Sequence, residues 1–438
     1  MLQCGFYEKE ITPPIGSELP GQYEQRVSTG VLDRLYAKAA AFDDGRNLVA
    51  LLALDAVDVP DWFCEAVRRR VEETVGLNDA NLVVCATHTH QGIPVGEAIG
   101  SHEDRGFLRE LSRLAADCVA LAVRALRPCR LSFATGRVEG ISFVRDYVLE
   151  NGTVRTNPVR SAVKILRPYS ENDPDLPVLF ARDEDGNMLG MIYGFACHQD
   201  CVGGREFTGD YSSEVSRQMK ARYGQDVVSI YVAAACGDIN HLDFMHDMAR
   251  SRYRDMGKKI SAELARAAAL LAERLPEERV CAGKAYVACK YRRASREELA
   301  AAEESVRTGT KIPRAMLAGT RYSELLLQYE RLRDEEEKPE KALPVQVLLI
   351  GGVTLFAMPG ELYHAFGQRL KAGCPTGKAL VATLCNGAFG YLPTPDMFGT
   401  DVYPAQLCEG SQWAPESGDA ITERALALAQ SLTEDTGK

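Results

Sequence analysis

Short apolar runs, each broken by Gly, Pro, Asn or Asp, organise this sequence. Runs at residues 6–15, 35–42 and 47–55 predict three strands, the last two joined by the Asp-Asp-Gly turn at 43–45. Residues 61–75 carry many charges at helical spacing. A fully apolar run at 82–86 then ends abruptly in Thr87-His88-Thr89-His90, before Gly92 and Pro94. That run is β-branched enough for a buried strand, and the punctuation in residues 81–96 places both histidines just past its end. A long amphipathic helix is expected at about 107–126. Further strands are predicted at 131–138, 162–166, 177–181 and 189–196, with a loop or hairpin at 143–157 built round Asn151-Gly152 and entered through Arg145.

The strand at 189–196 runs into Cys197-His198 and a glycine-containing loop, and a helix begins near Ser212 or Ser213. A continuous apolar strand at 227–235 ends in Cys236-Gly237-Asp238-Ile239-Asn240-His241, and a long helix is expected over about 245–274. Strands return at 345–350 and 353–357, followed by Met358-Pro359-Gly360-Glu361 and a helix to about 370. A last buried strand at 379–384 leads through Asn386 to Gly390-Tyr391, and a loop holding Tyr403, Cys408 and Glu409 precedes a C-terminal helix. Only residues 293–341 shift in composition, being rich in Arg, Glu and Lys with little β signal. They predict a helical excursion, expected as a solvated pair, with a lid or dimer contact as the other reading. No internal repeat or low-complexity linker is visible. The expected class is α/β with mixed α+β layers: one large domain over residues 1–438 with an inserted helical segment.

Composition narrows the function by exclusion. At 438 residues the chain can bury a large core, and 46% hydrophobic with 26% charged residues is ordinary for a soluble protein. A net charge of −10 argues against nucleic acid as partner, because phosphates want a basic face. No apolar run reaches the roughly 18–20 residues of a membrane span, and the N-terminus has no secretory pattern. Thirteen cysteines at scattered spacings, with no CxxC, fit a reduced, cytoplasmic protein rather than a disulfide scaffold or a zinc ribbon.

The candidate chemistry lies at strand ends. Five predicted strands finish in Asp55, His88 with His90, His198, Asp238 with Asn240 and His241, and Asn386, and a sixth is followed closely by Glu361. In open α/β sheets ligands gather outside the carboxyl ends of strands. Histidines and carboxylates with an open position suit a catalytic zinc site, whose Lewis acidity polarises a carbonyl or brings a bound water to a pKa of about 7. One or two metals are both compatible with this set. There is no GxSxG, HExxH, P-loop or post-strand GxGxxG, which removes the common serine-hydrolase, zincin and nucleotide readings.

At these residues the chain resembles the neutral/alkaline non-lysosomal ceramidase family. Cys85 to His90, with Gly92 and Pro94, is similar to its THTHSGPGG signature, and Phe195-Ala196-Cys197-His198 to its FAVH. Cys236 to Asn240 sits where the family has GDVSPN, Pro359-Gly360-Glu361 resembles its PGE, and Tyr403 to Glu409 resembles its YxAxxYE. The resemblance implies a zinc set of His88, His198, Glu361 and Cys408, with Arg145, His90 and Asp238 in catalysis and Asn240 and Tyr391 binding substrate. Asn240 stands where the family has its proposed nucleophilic serine, and an amide cannot be a nucleophile, so zinc-activated water is the expected attacking group. Cys408 replaces a tyrosine ligand. The C-terminal immunoglobulin-like domain of true ceramidases is not expected. The implied function is zinc-dependent hydrolysis of an amide (N-acyl) or related C–N bond in a small-molecule N-acyl or lipid-like substrate, with homo-oligomerisation open. The competing reading is an altered relative that binds a small ligand or metal without turnover.

Overall fold

Three times along the chain the same order of elements recurs: three antiparallel strands, a crossover helix, a fourth strand parallel to the third, and a second helix. The computed structural model describes residues 1–22, 25–95, 102, 105–159, 162–246, 252–312, 319–336 and 338–434. The first unit is β1 (Gln3–Glu10), β2 (Tyr36–Asp43), β3 (Leu48–Leu54), α1 (Asp61–Val75), β4 (Leu82–Ala86) and α2 (Arg105–Arg124). The second is β5 (Arg130–Arg137), β6 (Asp175–Arg182), β7 (Met188–Phe195), α3 (Asp210–Tyr223), β8 (Val228–Ala233) and α4 (Tyr253–Leu270). The third opens with β9 (Val280–Lys290), is interrupted by α5 (Arg296–Thr308) and α6 (Arg321–Glu336), and resumes with β10 (Glu340–Ile350) and β11 (Val353–Ala357). It closes with α7 (His364–Ala372), β12 (Ala379–Ala382) and α8 (Ser417–Glu434).

Pairing is the same in each sheet: β3 is parallel to β4, β7 to β8 and β11 to β12, and the other neighbours are antiparallel. The sequence shows no repeat because backbone pairing and burial recur here while side chains do not.

Strand periodicity explains how the sheets assemble. In β3, Val49, Leu51 and Ala53 face the core where all three sheets meet, while Ala50, Leu52 and Leu54 face the layer under α1 and α2. In β11, Val353, Leu355 and Ala357 face that shared core, and Phe356 faces α7 and α8. The inner strands β3, β4, β7, β8, β11 and β12 are therefore buried on both sides, which is why their runs are continuously apolar rather than alternating. Each such Leu or Val contributes roughly 1.5–3 kcal/mol on burial.

A long connection falls between the first and second strands of every unit, at residues 11–35, 138–174 and 291–339, and a further one, 383–416, precedes α8. The third holds the predicted helical excursion. α5 starts at a Ser295/Glu298 capping box and stops at Gly309, which has φ +69°. α6 lays Leu326 and Tyr329 against Ala302 and Leu407 in a small core of its own. The pair is not merely solvated, because another face of α6 meets the cavity described next. The helix predicted at 245–274 spans Tyr253–Leu270. Its predicted positions 247–251, like 313–318 of the excursion and Gly96 of the histidine stretch, lie outside the described residues. Among the described residues no helix is long and apolar enough to cross a membrane.

Candidate metal-centred active site

The third and fourth strands of the three units end around one cavity of about 750 Å³. Past β4 come His88 and His90, past β7 comes His198, and past β11 comes Glu361. The three insertions wall the cavity with Gly21 and Gln25, with Arg145, Thr156 and Asn157, and with Arg321, Leu325 and Gln328. The last three fall at i, i+4 and i+7, one face of α6.

Each imidazole is oriented by a backbone carbonyl from another segment. His88 Nδ1 lies 2.8 Å from the Val57 oxygen, His90 Nδ1 2.8 Å from the Gly21 oxygen, and His198 Nδ1 3.0 Å from the Ile239 oxygen. A carbonyl only accepts, so each Nδ1 carries the proton and each Nε2 presents a lone pair. Metal-binding histidines are held this way. Gly21, at φ +88°, admits this approach, since a Cβ there would lie 2.9 Å from His90 Nδ1. His88 itself has φ +68°, a conformation uncommon outside glycine that here turns its ring into the cavity.

The ligating atoms of the three histidines lie within 4.8 Å of one another. The Oε2 of Glu361 sits 3.3 Å from His88 Nε2 and 3.2 Å from His198 Nε2. Gly360, at φ +65°, makes the turn that delivers Glu361, and a Cβ there would strike the Gly390 oxygen at 2.4 Å. Nevertheless His88 Nε2, His90 Nε2 and Glu361 Oε2 are buried without a hydrogen-bond partner. Buried polar atoms are seldom left so. Orphaned electron-pair donors aimed at a common region fit a cation, and the donor set fits zinc chemistry.

Electrostatics agree with that arrangement. Burial works against charge on Glu361, but His88 and His198 outweigh it and hold its carboxyl well below the usual range. Burial also opposes charge on His88, and Glu361 outweighs it, so the His88 pKa is raised. His90 is pushed down to about 3 by burial and by His88, and His198 is lowered by burial and Arg145. Both therefore keep a free lone pair at neutral pH.

The structure distributes the other expected site residues as follows. Arg145 is buried in the cavity wall, donates to the Gly237 oxygen, and lies over the Tyr391 ring at 5.2 Å. The Tyr391 hydroxyl stands 3.4 Å from His198 Nε2, closing the group beside Glu361. Cys408 lines the cavity, but among the described residues the gathered ligand atoms are those of the imidazoles, and burial raises the Cys408 thiol pKa. Asn240 does not line the cavity: its amide donates to Asn157 Oδ1 at 3.0 Å, positioning a residue that does.

Asp238 also turns away from the cavity, because its carboxylate accepts from His364 Nδ1 at 2.6 Å and from the His364 backbone N at 2.8 Å. Asp55 accepts from Tyr36 N, and Asn386 ties Val84 to Gln346, so both strand-end polar groups are structural. His241 pairs with Asp200 at 2.9 Å.

Sequence reasoning missed Asp58. It lies four residues past β3, as Glu361 lies four past β11, so the same strand-end criterion finds it. Burial, and then the neighbouring Glu361 and Glu409, push its carboxyl up to about 6 against the pull of His88.

The Asp238–His364 pair makes a stability prediction. Burial opposes charge on His364, but Asp238 outweighs it and raises the pKa. A raised histidine contributes stability fully below its unfolded pKa of about 6.5 and loses it as pH climbs through the folded value. His364→Gln leaves Asp238 buried without its cation and should cost about 3–5 kcal/mol. The melting-temperature gap to wild type should be widest below pH 6.5 and shrink as pH climbs through the raised folded value. A gap independent of pH contradicts the pairing.

Neither a protein-family model nor a curated protein sequence matches the chain. Solved structures share its fold, among them the following two. One is neutral ceramidase from Pseudomonas aeruginosa, with a TM-score of 0.73 and 16% identity over 99% of this chain and 75% of that one. The other is a ceramidase complexed with C2, with a TM-score of 0.75, 16% identity and the same coverage. The chain has the neutral ceramidase fold.

Proposed function

We propose that this protein is a zinc-dependent amidohydrolase of the neutral ceramidase-like family, cleaving an N-acyl bond of a small-molecule substrate. The observation that carries the reading is the convergence of His88, His90, His198 and Glu361, with donor atoms of His88, His90 and Glu361 unpartnered, in a cavity at the strand ends of a ceramidase fold. A zinc ion held there would supply Lewis acidity toward the amide carbonyl and toward water.

His88, His198 and Glu361 hold the metal, and Tyr391 or His90, rather than Cys408, completes the set. Arg145 is a fixed cation in a dry wall, suited to the negative charge that develops on the carbonyl oxygen. Asp58, with a carboxyl poised near neutrality, takes the proton from the attacking water and returns it to the leaving nitrogen. Asp238 and Asn240 position His364 and Asn157. Asn240 leaves no side-chain nucleophile at that position, which supports direct attack by water.

Purified protein should carry zinc, lose hydrolysis of N-acyl substrates on chelation, and regain it on adding zinc. Full activity in the metal-free protein sinks the reading, as does a failure to turn over N-acyl compounds of any chain length alongside measurable ligand binding.

A further inference from the structure

A second chamber of about 630 Å³ adjoins the first, and Asp58, Ala388, Glu409 and Gln412 line both. Its roof is the C-terminal part of α6. There Arg333 is 9% exposed, yet its Nε and Nη1 have no hydrogen-bond partner. Among the described residues it is the arginine with two such buried donors. Its guanidinium lies 4.2 Å from the Tyr291 ring centre, Tyr291 stacks on Trp413 at 4.9 Å, and Trp413 donates to the oxygen of Phe389, which lines the metal cavity. The guanidinium is thus held rigidly with two donors to spare, the arrangement that recognises a carboxylate.

Carboxylates also line this chamber, namely Asp58, Asp61, Glu336, Glu340 and Glu409. Asp61 pairs with Lys341 at 2.5 Å, and Glu336 takes the remaining Arg333 nitrogen, Nη2, at 3.0 Å. Asp58 and Glu409 line both cavities, at the junction where an amine would be released.

We propose that the second chamber binds the amine half of the substrate and that Arg333 receives a carboxylate on it. The substrate class is an N-acylated amino acid or other N-acyl amine ending in a carboxylate. This rests on the amidohydrolase reading. The released ammonium faces Asp58 and Glu409 while its carboxylate sits on Arg333, so one zwitterion satisfies both ends of the chamber. α6 serves both halves: Arg321, Leu325 and Gln328 line the first cavity, and Arg333 and Glu336 the second.

The test is calorimetric binding, to the full-length protein, of β-alanine, 4-aminobutyrate and 6-aminohexanoate against butylamine. One amino acid of the series should bind tenfold or more tighter than butylamine, as a charge-assisted pair allows. Arg333→Gln should erase that preference. Glu336→Gln, at a half-exposed position that tolerates change, should strengthen it several-fold by freeing the third nitrogen. Equal binding of amine and amino acids overturns the proposal, as does a preference that survives Arg333→Gln or is unmoved by Glu336→Gln. Arg333-dependent binding without turnover of any N-acyl compound would leave this subsite standing and remove the hydrolase reading.

Discussion

His88→Asn is expected to strip the metal from the protein and lower N-acyl hydrolysis by about 10³- to 10⁴-fold, the several kcal/mol that Lewis-acid stabilisation of a transition state is worth. Asparagine is the informative replacement because residue 88 has φ +68°, a backbone region asparagine tolerates better than alanine. The imidazole is lost without imposing new backbone strain. Metal content by elemental analysis and turnover should fall together, while the melting temperature matches that of chelated wild type. Wild-type metal stoichiometry in the variant would exclude His88 as a ligand.

Arg145→Met should reduce kcat by about 10²- to 10³-fold with little change in KM, the loss seen when one fixed donor to a developing oxyanion is removed. Methionine keeps much of the buried volume but neither the charge nor the bond to Gly237. Zinc content should stay at the wild-type level, which separates this variant from His88→Asn. A rise in KM at constant kcat would move Arg145 from the transition state to uniform substrate binding.

These two residues illustrate how far sequence carries. Each was singled out in the sequence, His88 by an abrupt polar ending of an apolar run and Arg145 by the family resemblance, and the structure places both in the wall of one cavity. Most of the strands' positions along the chain were legible too, because strands buried on both faces leave continuous apolar runs that punctuation separates cleanly. Asp238 and Asn240 were equally visible, yet the structure spends them on His364 and Asn157. A side chain's direction at a strand end depends on neighbours far along the chain, here 126 and 83 residues away, and spacing does not encode it.

Arg333 marks the other limit. Within a charged helix it reads as one solvated residue among many, and its burial follows only from Tyr291 and Trp413 closing over it. The sequence by itself determined that the protein is a layered α/β chain, and that histidines and carboxylates end several of its strands. The tertiary structure alone decided which of these groups meet. Three units of one topology bring their strand ends to one place, and the carbonyls of Val57, Gly21 and Ile239 aim three imidazoles inward. Local propensity specifies strands and turns, whereas convergence is set by packing between segments far apart in the chain.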